Sequence, residues 1–189
     1  EEEKSFNEIT EIFNSAFKIA KEQNNLQMMG VAKRWIGNTY AMMKDFDQAL
    51  TYWYQALEIA REVNDKLCQT RCLGNIFYKK LYTYHDYKEA EKALNEKMKI
   101  NQSLEDISEI IGSYLDFANL YDAKATREKA KTAFKYWDTS IEYAEIALEM
   151  SKENKEVKKE IEAYYKLSNF YSYIENLPKA IELINKTIT

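Results

Sequence analysis

The sequence predicts an all-α stack of antiparallel helix hairpins, and three observations carry that prediction. Apolar residues recur at helical spacing almost throughout: Phe13, Phe17 and Ala20, then Trp53, Ala56, Leu57 and Ala60, then Ile141, Ala144, Ile146, Ala147 and Leu148. With 4 Gly and 1 Pro among 189 residues, the punctuation that tight turns between strands require is missing. A pattern also repeats: "WIGNTYAMMKDFDQA" at 35–49 and "CLGNIFYKKLYTYHDYKEA" at 72–90 share an aliphatic-Gly-Asn opening and a closing alanine.

Taken in order, the periodicity places helices over 5–23, 26–43, 46–64, 66–83, 86–102, 105–126, 128–152, 156–174 and 178–188. The breaks fall at Asn24-Asn25, Asn64-Asp65, His85-Asp86 and Asn176-Leu177-Pro178, where the single proline suits the first turn of a helix. The first helix ends in "SAFKIAKEQNN", which matches "QALEIAREVND" forty residues later. It therefore reads as the second half of a hairpin whose first half would lie upstream of residue 1. A start without Met and an end inside the amphipathic "KAIELINKTIT" lead us to expect a piece of a longer chain.

Four first helices carry an aliphatic-small anchor: Ile36-Gly37, Leu73-Gly74, Ile111-Gly112 and Leu167-Ser168, each followed three residues later by Tyr40, Phe77, Leu115 or Tyr171. The second helices answer with Ala49/Trp53/Ala56, Ala90/Leu94/Lys97, Ser140/Ala144/Ala147 and Ala180/Ile184/Thr187. A mid-helix glycine costs about 1 kcal/mol against alanine, so Gly37, Gly74 and Gly112 are expected to admit a closely packed partner helix. From anchor to crossing residue the second and fifth units need 12 residues, the third 16 and the fourth 28. We expect elongated hairpins in the third and especially the fourth unit. The insert "DAKATREKAKTAFKYWDT" is read as a longer helical hairpin in preference to a surface loop, with Phe134, Tyr136 and Trp137 packing it and its tip offering a secondary contact surface.

This pattern resembles the tetratricopeptide repeat, and the resemblance covers nearly the whole chain. The Gly-Asn pair, the following aromatic, the "REVND" ending and the period near forty residues are similar to the long repeats of kinesin light chains and Pins/LGN adaptors, with relatives among bacterial regulators and ciliary proteins. The resemblance implies a right-handed superhelical solenoid over 1–189, a single domain with units at about 1–24 (second helix only), 25–64, 65–103, 104–154 and 155–189. It further implies a concave groove lined by the first helices. Its inner positions fall on Arg34 and Asn38, Arg71 and Asn75, Glu109 and Ser113, and Tyr165 and Asn169, flanked by Val31, Cys68, Asp106, Glu162, Ala41, Tyr78, Asp116 and Ser172. Lys79 is also read as facing inwards. Two departures stand out: the fourth and fifth units lack Arg-x-x-x-Asn, and Lys33 and Thr70 replace the usual bulky first-helix residue.

The Arg-x-x-x-Asn pairs share a helix face. Asn can pair with the main chain of an extended peptide, and Arg offers a fork for a carboxylate. The proposed groove changes sign, from Arg34, Arg71 and Lys79 to Asp106, Glu109, Asp116 and Glu162. A protein or peptide partner with acidic and basic parts, either extended or helical, would be complementary.

Other chemistries are poorly supported. There is one His, no G-x-G-x-x-G, P-loop, H-E-x-x-H or G-x-S-x-G string, and no expected cofactor. Cys68 and Cys72 read as small buried hydrophobes and, with His85 alone to help, as no metal site. The net charge of -4 argues against a nucleic-acid partner, and no apolar run of about 18 residues predicts membrane insertion. Self-association is open and nothing indicates it. The expectation is a non-catalytic cytoplasmic interaction scaffold, with cytoskeletal or ciliary association possible; the alternative is the regulatory repeat region of a larger signalling enzyme or transcription regulator.

Overall fold

The computed structural model describes residues 2–187, and every regular element within them is a helix: α1 (Glu2–Glu22), α2 (Leu26–Met42), α3 (Phe46–Glu62), α4 (Lys66–Tyr82), α5 (Tyr87–Ser103), α6 (Ile107–Ala125), α7 (Ala130–Glu153), α8 (Val157–Tyr173) and α9 (Leu177–Asn185). The last residue predicted for the final helix, 188, lies outside the described residues. One device starts most helices. Asn25, Asp45, Asp65, Asp86, Asp106 and Asn176 each accept a bond from the backbone N–H three residues on, satisfying an otherwise orphaned donor. The residue before each of them is left-handed, with φ of 51° to 62°, and so is Lys155. The turn between α6 and α7 is the exception: it has no such residue, and its N-cap, Lys129, makes no side-chain cap bond.

The chain forms two compact units, Glu1–Tyr84 and His85–Thr189. In the first, α1, α2, α3 and α4 pack in succession and α2 also touches α4. Its core is built on Ile36, Trp53, Ala56, Phe77 and Leu81. In the second, α5 to α9 pack in succession and α6 also touches α8. Ile111, Leu115, Ala147 and Ala163 form one apolar cluster there; Ala118, Ile141, Ala144, Leu167 and Phe170 belong to another. Burying each large aliphatic or aromatic side chain contributes about 1.5–3 kcal/mol.

Of the two expectations about the hairpins, one needs correction and the other holds. The third is not elongated, because α4 and α5 have 17 residues each, the same as α2 and α3. Gly74 is the ninth residue of α4 whereas Gly37 is the twelfth of α2, which accounts for three of the four extra residues; a longer turn supplies the fourth. The fourth hairpin is longer and helical on both sides, but unequally: α6 has 19 residues and α7 has 24.

The glycines also divide. A Cβ at Gly37 would lie 2.7 Å from the Trp53 ring and 3.1 Å from the Ala49 carbonyl oxygen, so close approach of α3 requires glycine there. A Cβ at Gly74 would meet nothing within 4 Å, and one at Gly112 only the flexible end of Lys159. In α6 the twelfth residue is Ala118, fully buried, whose carbonyl accepts from Ser140 Oγ at 3.0 Å. The twelfth residue is thus small in α2, α6 and α8 (Gly37, Ala118 and Ser168), whereas in α4 it is the fully buried Phe77.

Candidate functional site

In the unit Glu1–Tyr84 the first helices are α2 and α4. Met28, Trp35 and Met42 recur every seven residues on α2 and are all exposed, which lays an apolar stripe along one face. Phe13 of α1 stacks on Trp35 at 5.6 Å, fixing the middle of the stripe. Arg34 is only 7% exposed, and its Nε is buried without a hydrogen-bond partner among the described residues. Its guanidinium lies 4.8 Å from the Trp35 ring centroid. An unmatched buried donor is costly, so this nitrogen calls for an acceptor.

Arg34 lines an open cleft of about 150 Å³ together with Val31 of α2, Leu67, Cys68 and Arg71 of α4, and the cap residue Asp65. Arg71 is exposed. Two guanidinium groups therefore face one cleft that has an apolar floor and a single carboxylate. The Cys68 thiol is lowered, first by its hydrogen bond with Cys72 and then by Arg34, while Cys72 is pushed up by the same bond and by burial. Both cysteines are free.

One turn further along, the asparagines are engaged by the fold. Asn38 Oδ1 accepts from Trp53 Nε1 and from Asn75 Nδ2, both at 2.9 Å, which ties α2 to α3 and to α4. Tyr78 packs against Phe77 and Tyr82 at 5.1 Å and 6.1 Å. The Lys79 ammonium lies 4.0 Å over the ring of Phe46, the first residue of α3. Lys33 lies between the rings of Phe17 and Tyr52 at 4.7 Å and 4.9 Å, held by cation–π attraction in the place of a bulky apolar residue, and partial burial lowers its pKa.

The first-helix positions of the unit His85–Thr189 differ. Ser113 is fully buried, accepting from Asn101 Nδ2 at 3.1 Å and donating to the Glu109 carbonyl at 2.9 Å. Asp116 is buried and bonded to Lys97 Nζ at 3.1 Å, and the Glu109 carboxylate stands 3.7 Å from the same ammonium. The expectation that Ser113 and Asp116 line an open groove is therefore corrected: they form a polar seam between α5 and α6. Lys97 replaces the small crossing residue of the other second helices and needs these acceptors. Of the remaining positions, Tyr165 is exposed and Asn169 half-buried. Glu162 stands 3.8 Å from both Lys159 and Lys166.

Three features escaped the sequence reading. Trp35 is masked in the sequence by the Ile-Gly pair that follows it and dominates the pattern. Lys97 was visible as a long charged residue in a column of small ones. Asp122 accepts from Trp137 Nε1 at 3.2 Å, across the same 15-residue interval as Asn38 and Trp53. Burial raises the Asp122 carboxyl, opposed by that bond and by Lys166. Among the described residues no group of three or more His, Cys, Asp or Glu could hold a metal ion, and no helix is long and apolar enough to cross a membrane.

These hairpins define a TPR-like helical-repeat fold. The crystal structure of BtubC (BKLC) from P. vanneervenii has the same fold, with a TM-score of 0.82 over 98% of this chain and 73% of that one, at 15% sequence identity. No family model matches the sequence, and no curated protein matches it.

Proposed function

We propose that the chain is a non-catalytic protein-interaction scaffold of the reducing cytoplasm that binds a partner segment on the first-helix face of α2 and α4. The observation that carries this reading is the unpartnered, buried Nε of Arg34 in a cleft it shares with Arg71. A carboxylate side chain of the partner supplies the missing acceptor, and guanidinium–carboxylate pairs are strong because charge and fork geometry match together. The exposed stripe of Met28, Trp35 and Met42 takes apolar side chains of the same segment, and methionine adapts readily to differing partners. Arg34, Arg71 and the stripe thus inherit the binding role. Asn38 and Asn75 position the helices that carry them.

The test is affinity capture from cell lysate with the wild-type chain beside Arg71→Glu, an exposed change that leaves the core intact. Partners lost on charge reversal, and weakened by salt in the wild type, support the reading. Partners retained equally by both exclude the cleft.

A further inference from the structure

The tip of the α6–α7 hairpin presents a second surface, independent of the cleft. Tyr173 is the last residue of α8 and packs against Trp137, the eighth of α7, at 5.9 Å. The two turns of α7 before Trp137 consequently run past the end of α8. On that flank Phe134 meets Trp137 edge-on at 5.6 Å, so Phe134, Trp137 and Tyr173 form a continuous aromatic row. Its outer members are 49% and 51% exposed. The middle ring is fixed by its bond to Asp122.

The charge around this row is opposite to that of the chain. Residues 126–137 hold Arg127, Lys129, Lys131 and Lys135 against Glu128, a net +3 within a protein of net -4. None of those four cations has an ion-pair partner among the described residues, whereas nearby Lys124 is matched by Glu91 at 2.8 Å. Lys131 lies three residues before Phe134 and Lys135 one after it, while Asp138 sits a turn further along. We propose that this flank docks a short, extended, acidic segment of a partner protein, its apolar side chains on the aromatic row and its carboxylates on Lys131 and Lys135.

The row spans roughly 11 Å, the reach of three to four extended residues at about 3.3 Å each, and alternate side chains of such a segment point the same way. A flat anionic membrane is the less suitable occupant, because the row runs along the side of α7 rather than across the apex of the turn. Charge complementarity supplies orientation and on-rate, and the aromatic rings supply contact area.

The experiment is a nitrogen-15 NMR titration of the whole chain with a ten-residue peptide alternating Glu and Leu. The controls are a Lys–Leu peptide and vesicles of phosphatidylserine and phosphatidylcholine. The expected result is saturable shifts of the Trp137 indole N–H and of amides 131–138 and 173. Lys131→Glu/Lys135→Glu should weaken that binding about tenfold, with an unchanged melting temperature. Phe134→Ala should weaken it as well. The proposal is overturned by an unmoved tip, by equal shifts with the Lys–Leu peptide, or by a response to the anionic vesicles alone. Because the readout is local to α7 and α8, it is separate from the fate of the Arg34 cleft.

Discussion

In the unit Glu1–Tyr84 the first-helix arginines face a cleft with one buried nitrogen unmatched, whereas in the unit His85–Thr189 the carboxylates at the expected inner positions are matched from within. Asp116 and Glu109 share Lys97, and Ser113 is bonded to Asn101 and to the Glu109 carbonyl. The two units are built of the same hairpins, so the difference lies in what the neighbouring helix offers. Asn38 and Asn75 bond to one another and leave Arg34 Nε without an acceptor, while α5 offers Lys97 and Asn101 to α6. A charge on a first helix is therefore available to a ligand only where the adjacent helix does not already answer it.

The largest effect should come from breaking the internal match. Lys97→Met leaves Asp116 as an uncompensated buried charge and should cost about 3–5 kcal/mol in urea unfolding. Lys97→Met/Asp116→Leu should recover most of it, because the double change removes both partners. A double variant as unstable as the single one would show that the seam is held by packing. Next comes Gly37→Ala, which drives a methyl group into Trp53 and the Ala49 carbonyl and should cost about 1–3 kcal/mol. Gly74→Ala, in open space on α4, should instead gain about 0.5–1 kcal/mol from helix propensity, read as a higher melting temperature.

The last change sharpens the comparison through pH. The folded-state pKa of Asp122 is raised, so its contribution to stability is present below the usual aspartate range and lost as pH rises through the folded value. Asp122→Asn keeps the acceptor for Trp137 without the buried charge. It should be more stable than the wild type at pH 7, and the advantage should shrink as pH falls through the raised folded value towards the usual aspartate range near about 4, with no further change below it. A stability difference independent of pH would contradict burial as the cause of the shift.

The helices were legible because their punctuation is local: an Asn or Asp cap follows nearly every break, and the apolar period persists between them. The site was only partly legible, for a reason of register. The glycines suggest one common register for the inner positions, but Gly74 stands three residues and Gly112 six residues earlier in their helices than Gly37 does in α2. At about 100° per residue, an error of three turns the helix by roughly 300°, only about 60° from the intended face. Arg71 therefore still faces the cleft. An error of six turns it by roughly 600°, about 120° away, and carries Ser113 and Asp116 into the seam with α5. The burial of Arg34 had no local signal, since it depends on α4 lying beside α2.

The central claim is that Arg34 awaits a carboxylate, and the most direct measurement is the nitrogen-15 signal of its Nε–H during titration with N-acetylglutamate. A saturable downfield shift that weakens in Arg71→Ala is the predicted result. An Arg34 signal that stays fixed while the ligand concentration rises several-fold past about 1 mM, the Kd that corresponds to about 4 kcal/mol of binding, would contradict it.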